Sequence, residues 1–182
     1  MAKVLASTTM SFDGFIAGPN DEMDWVFEYA GDVPADLINE VIASTGAILG
    51  GRRGYEVGRR ADRPETSKPF GGRWSGPIFV LTHTPPDDEA DPAYTFISGD
   101  IREAVETALA VADGRDLLVL GANVVGQCLR AGLLDEFLII VLPVLLGDGV
   151  RLFGDPGTPA SLEMLDASAS GQVVNLRYRV AK

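Results

Sequence analysis

Short apolar runs alternate with amphipathic stretches along this chain, and glycine or proline stands at most of the junctions. Residues 3–9 begin with Val4 and Leu5 and continue in small side chains, which predicts a first strand. Asp13-Gly14 and Gly18-Pro19-Asn20 then mark two turns. The acidic and aromatic stretch 21–32, with Trp25, Phe27 and Tyr29, has weak periodicity and reads as a loop holding one helical turn. Pro34-Ala35-Asp36 opens a helix, because proline is tolerated in a first turn and an acid there meets the positive end of the helix dipole. Leu37, Ile38, Val41 and Ile42 give that helix one buried stripe.

Residues 47–49, 77–82, 94–97, 117–120 and 137–144 read as further strands, and 172–180 as a last one alternating apolar and polar. Asp100 caps a helix that runs to Ala112, with Ile101, Ala104, Val105, Ala108 and Leu109 on one face. Another helix spans residues 124–131 and closes at Gly132, where a left-handed residue is favoured. Residues 58–76, rich in glycine, proline and charge, read as a long surface excursion, and 85–92 as a polar loop. Strands separated by helices imply an α/β fold with a mainly parallel sheet covered on both faces. The final segments lack helices and predict an antiparallel edge.

Composition narrows the class. A chain of 182 residues suits one domain, taken as 1–182. Its 46% hydrophobic and 23% charged residues exclude a disordered chain. With Cys128 and His83 as the only residues of their types, a disulfide framework and a Cys/His zinc site are excluded, and no metal is expected. A net charge of -11 argues against nucleic acid, which needs a basic face. The most apolar run, 137–146, contains Pro143 and is about half a membrane span. Residues 1–8 lack the long apolar stretch of a secretory signal, so none is expected. The expectation is a soluble, cytoplasmic protein with a small-molecule partner and no membrane or nucleic-acid partner.

Charge is unevenly spread. Positions 52–73 hold Arg52, Arg53, Arg59, Arg60, Arg63, Lys68 and Arg73, opposed only by Glu56, Asp62 and Glu65. Residues 1–51 carry eight acids and a single lysine. Such separation suits either a solvated, solubilising loop or an anion site, and a phosphorylated cofactor would satisfy the second because guanidinium forks fit phosphate. Two glycine turns, Gly50-Gly51 and Gly121-Ala122-Asn123, follow apolar strands. Each is either a compact helix start or a place where free helix N–H groups meet a phosphate. Neither is a dinucleotide or Walker fingerprint. Among carboxylates, Asp13 reads as a turn residue bonding its own backbone, and Asp36 as a helix acid or a proton donor. Cys128 falls on an apolar helix face and reads as core, and Trp25 as a core or lid aromatic.

In order along the chain, Ser11-Phe12-Asp13-Gly14-Phe15-Ile16-Ala17, Leu49-Gly50-Gly51-Arg52-Arg53-Gly54-Tyr55-Glu56, Gly132-Leu133-Leu134-Asp135-Glu136 and Pro143-Val144-Leu145-Leu146-Gly147-Asp148-Gly149-Val150-Arg151-Leu152-Phe153 resemble the dihydrofolate-reductase-like fold. The Leu-Gly-x-Gly and Leu-Phe of the last string are similar to the reductase domain of the riboflavin-biosynthesis deaminase-reductases more than to the folate enzymes. The resemblance implies a three-layer αβα domain whose mainly parallel mixed sheet has an antiparallel C-terminal edge.

The resemblance also implies an oxidoreductase that binds NADPH across the C-terminal strand ends. Ile16 and Ala17 would set backbone against the nicotinamide carboxamide. Gly51, Arg52 and Arg53 would meet the 2′-phosphate and pyrophosphate. Thr82, His83 and Thr84 would flank the adenine and its ribose, and Gly121, Ala122, Asn123, Val124 and Val125 would cradle the pyrophosphate. Asp36 and Trp25 are the implied substrate-side catalytic contacts. The substrate would be a pteridine, a pyrimidine or a ribosylaminopyrimidine, as for a 5-amino-6-(5-phosphoribosylamino)uracil reductase of riboflavin biosynthesis. A homodimer is implied as well. The alternatives are a non-catalytic ligand-binding module on the same fold and dihydrofolate reductase proper.

Overall fold

Alternate side chains of the apolar runs divide between two faces of one sheet, and that division sets the architecture. The computed structural model describes residues 2–60, 68–87, 89, 91–154 and 157–181. Ten strands are described: β1 (Val4–Ser11), β2 (Phe15–Ala17), β3 (Thr45–Gly51), β4 (Ile78–Leu81), β5 (Tyr94–Ile97), β6 (Asp116–Val119), β7 (Glu136–Leu142), β8 (Val150–Arg151), β9 (Leu162–Ser170) and β10 (Val173–Val180). Eight form a sheet in the order β5-β4-β3-β6-β1-β7-β10-β9, and β2 pairs with β8 beside it. Every pairing from β5 to β7 is parallel, and β7–β10 and β10–β9 are antiparallel.

Helix α1 (Asp24–Phe27) is a single turn, followed by α2 (Ala35–Ser44), α3 (Arg52–Gly58), α4 (Ile101–Ala110) and α5 (Ala122–Arg130). Leaving β1, the chain crosses to β3 under α2, whose Val41 packs with Leu5, Ile48, Leu118 and Leu138 on one face. It returns from β5 through α4 to β6 and through α5 to β7, burying Val105, Val125 and Cys128 against Val4, Ala6, Leu49 and Leu117 on the other. Crossovers are right-handed, so those running in opposite directions must lie on opposite faces. The expected three-layer arrangement and antiparallel edge are what the chain adopts.

Local differences have local causes. β7 ends at Leu142 because Pro143 offers no N–H to the ladder. α5 begins at Ala122, two residues earlier than its periodicity indicates. The excursion at 58–76 is not wholly surface: Trp74 is buried beside α2 and donates from Nε1 to the Thr45 carbonyl at 3.0 Å. Residues 61–67, with Asp62, Arg63 and Glu65, lie outside the described residues. Among the described residues no helix is long and apolar enough to cross a membrane.

Candidate active site

The parallel strands end on one edge of the sheet, and the glycine bends stand there. Gly51 closes β3 and precedes α3; Gly121 follows β6 and precedes α5. A methyl placed on Gly51 would stand 3.3 Å from Val124 Cγ2, so the two bends abut. Gly121 holds φ +88°, a conformation side chains rarely adopt, and the space where its Cβ would lie is open. Neither α3 nor α5 has a side-chain cap, which leaves the first-turn amides of both helices without an intrahelical partner beside the same opening.

The opening is a cleft of about 190 Å³ lined by Gly50, Gly51, Tyr55, Tyr94, Leu120 and Gly121 among others. Tyr55 of α3 meets Tyr94 and Phe96 edge-on, each at 5.3 Å between ring centroids. Tyr55 also donates to Glu89 Oε2 at 2.6 Å, and Arg59, stacked over Tyr94 at 4.9 Å, pairs with the same carboxylate. The cleft wall is therefore aromatic, and the guanidinium stacked on Tyr94 is already paired with Glu89.

Thr82, His83 and Thr84 follow β4 on the same edge. Thr82 is buried and its Oγ1 accepts from the Thr84 amide at 3.2 Å, while His83 and Thr84 are exposed. Arg52 joins this turn to α3: it donates to the Thr84 carbonyl and, through Nε, to Glu56 at 2.6 Å. Arg53 points elsewhere, to Asp21. Val124 and Val125 send their side chains into the core and leave only backbone to the bend, while Asn123 Oδ1 accepts from Gln127 at 2.6 Å.

Ile16 and Ala17 lie in β2, and Ile16 packs against the cluster that contains Val124 and Val125. What holds β2 there is the string at 143–153. Gly149 has φ +132°, and a Cβ on it would lie 2.1 Å from the Ala17 carbonyl, so only glycine permits the approach. Asp13 bonds its own backbone, as the Asp-Gly pair suggests, and also reaches a distant loop. Its carboxylate accepts from the Leu146 and Gly147 amides at 3.1 and 2.7 Å and from Ser11 Oγ at 2.6 Å. The Ser11 hydroxyl, aided by those amides, holds the Asp13 carboxyl down at about 2. Asp13 is thus a clasp between two loops, a role that needed a partner 133 residues away to be seen.

The two substrate-side candidates do not join this group. Asp36 is exposed in the first turn of α2, outside the residues that line the cleft. Trp25 is buried with Ile140, Leu142 and Val173, and its Nε1 donates to the Glu22 carbonyl at 3.2 Å, so it anchors its own loop. Sequence reasoning also passed over Tyr55 and Tyr94 as cleft residues; an aromatic at 55 within a glycine-rich helix start was the available signal. Cys128 is buried and burial pushes its thiol up to about 12, which leaves it inert. Among the described residues no cluster of His, Cys, Asp and Glu could hold a metal.

Known proteins share this fold. YyaP of Bacillus subtilis (strain 168) is 30% identical over 186 aligned positions, covering 97% of this chain and 94% of that one. A putative riboflavin biosynthesis protein from Shewanella sp. PV-4 superposes with a TM-score of 0.80 at 21% identity over the full length of both chains. A pyrimidine reductase-like protein from Corynebacterium diphtheriae superposes with a TM-score of 0.68 at 15% identity, over 100% of this chain and 92% of that one. Residues 2–176 match the sequence profile of the RibD C-terminal domain. With a profile match over nearly the whole chain and its two glycine bends closing on one cleft, this protein belongs to the RibD C-terminal domain family, whose members are reductases.

Proposed function

We propose that the protein is an NADPH-dependent reductase that passes hydride to a small heterocycle of the pteridine, pyrimidine or ribosylaminopyrimidine kind. The observation that carries this reading is the convergence of two uncapped helix starts, the positive-φ Gly121 and the Thr82–Thr84 turn on one sheet edge. Backbone amides at helix starts favour phosphate oxygens, and the open side of Gly121 admits a close approach. When bound, the dihydronicotinamide supplies the hydride. The chain's own residues do the rest. The amides of Ala122, Asn123 and Val124 orient the pyrophosphate, and the β2 backbone at Ile16 and Ala17 fixes the plane of the carboxamide. Tyr55 and Tyr94 wall the cleft with aromatic rings.

Titrating the protein with NADPH and following nicotinamide fluorescence should show saturable binding at submillimolar concentration, with cofactor oxidation on adding a reducible pyrimidine or pteridine. No saturable binding over that range ends the reading. Binding without oxidation for every heterocycle tried would instead make the chain a ligand-binding module.

We also propose that a second copy of the chain covers one face of the β9–β10 hairpin. Register places Leu162, Met164, Val174, Leu176, Tyr178 and Val180 on that face, while Glu163, Arg177 and Arg179 point to the other. Of the hairpin only Val180 joins the core beneath α4 and α5, and Leu162, Met164 and Val174 are 44%, 58% and 41% exposed. In a chain of net charge -11, an uncharged apolar face is one that can meet its own copy without like-charge repulsion. Light scattering should give twice the 19.3 kDa chain mass, and Met164→Lys with Val174→Lys should halve it. A monomeric native protein overturns the assignment.

A further inference from the structure

Arg53 stands in the first turn of α3 and Arg60 just beyond its last, and both reach back to one residue of the loop after β2. Arg53 Nε meets Asp21 Oδ1 at 2.5 Å and Arg60 Nη2 meets Oδ2 at 3.0 Å, one guanidinium on each carboxylate oxygen. Arg60 Nη1 also donates to the Asn20 carbonyl at 3.0 Å. The Asp21 side chain is 14% exposed, whereas Arg53 and Arg60 are 65% and 41% exposed, so the acid lies beneath cations that solvent still reaches.

The loop that supplies Asp21 is strained, and it is tied at its base by main-chain bonds and at its tip by the two arginines. Asn20 and Asp21 hold φ +58° and +64°, two consecutive residues other than glycine in the left-handed region. The Glu22 carbonyl closes the base by accepting from the Gly18 amide at 2.8 Å and from Trp25. The tip is held across the gap from β2 to α3 by the two arginines. Arg52 takes no part, being engaged by Glu56 and the Thr84 carbonyl.

We propose that Arg53 and Arg60 form a binding site for a phosphate monoester, that Asp21 fills it in the free protein, and that the loop at 18–22 is a strap the phosphate displaces. The proposal rests on the cofactor reading for its first choice of ligand, the 2′-phosphate of NADPH. A phosphorylated substrate would offer the same chemistry. A phosphate presents more oxygens and more charge to the two guanidinium forks than one carboxylate does. Its binding releases the strained turn, which adds to the exchange.

The test compares the native protein, Asp21→Asn, and Asp21→Asn combined with Arg60→Gln, each titrated with NADPH, NADH and ribose 5-phosphate. Removing the internal competitor should tighten NADPH roughly tenfold, the size of one charge-assisted hydrogen bond, and leave NADH within about twofold. Adding Arg60→Gln should reverse the NADPH gain alone. Amide exchange at Gly18 and Glu22 should quicken when NADPH binds the native protein. Equal changes for NADPH and NADH, or none, would overturn the strap and leave the reductase reading standing. Should NADPH fail throughout while ribose 5-phosphate binds Asp21→Asn and is lost with Arg60→Gln, the site stands with a phosphorylated substrate as its source. Failure of all three ligands in every variant overturns both.

Discussion

Gly46→Ala should destabilise the protein by about 3 kcal/mol, the upper end of what an added core methyl does. Gly46 is the extra residue where the β3–β6 register shifts between Thr45 and Ala47. A Cβ there would lie 2.1 Å from the Ala112 carbonyl oxygen and 2.9 Å from its Cα, just past the end of α4. That carbonyl cannot swing aside freely, because it accepts the Arg115 amide at 3.1 Å, and Arg115 in turn donates to the Thr45 carbonyl at 3.1 Å. The clash is backbone on backbone, so no rotamer relieves it. Since β3 ends at Gly51, a shift of the strand also moves the bend that opens α3. Chemical denaturation of the variant measures the loss, and a change below about 1 kcal/mol would show that the end of α4 slides away from the sheet.

The contrast between Gly46 and Gly121 explains what the sequence made legible. Gly50-Gly51 and Gly121 stood out because each follows a short apolar run and precedes a helix, and glycine at a strand end has few other uses. Parallel pairing followed from helices between strands, and both bends then had to fall on one edge. Gly46 carries no such mark, since its constraint comes from a helix 66 residues further on.

β9 was invisible for a different reason. Its alternation is broken by a bulge, so Leu162 and Met164 share a face with Ala167 and Ala169 although their positions differ in parity. Alanine, serine and glutamate also lack strand preference. The candidate site was legible in its backbone and not in its side chains. Arg53 could be read as an anion ligand, but its partner Asp21 lies 32 residues away and its companion Arg60 a further turn beyond α3. Asp36 fits a helix start and a proton donor equally well on sequence grounds; only its exposure separates the two.

At the opposite end of β1 from the cleft, Arg177→Met should cost about 2–3 kcal/mol at neutral pH and much less in acid. Glu136 is 3% exposed on β7, between Lys3 Nζ at 2.8 Å and Arg177 Nε at 3.0 Å. Arg177 also reaches Glu40 of α2 at 2.6 Å and so ties that helix to the sheet. Burial alone would raise the Glu136 carboxyl, yet the bonds from Lys3 and Arg177 outweigh it and hold the group below the usual carboxylate range. A depressed carboxyl adds stability above its unfolded value of about 4.3, and that contribution is lost as pH falls below it. With methionine at 177 only the half-exposed Lys3 remains, and burial then pushes the carboxyl upward. The sign reverses: the variant loses stability as pH rises through that region and recovers it when Glu136 takes a proton. Denaturation midpoints of the two proteins should therefore lie far apart at pH 7 and draw together below about pH 4. A gap that stayed constant across that range would mean that the loss is packing of the arginine stem and tether to α2, and not an unpaired buried charge.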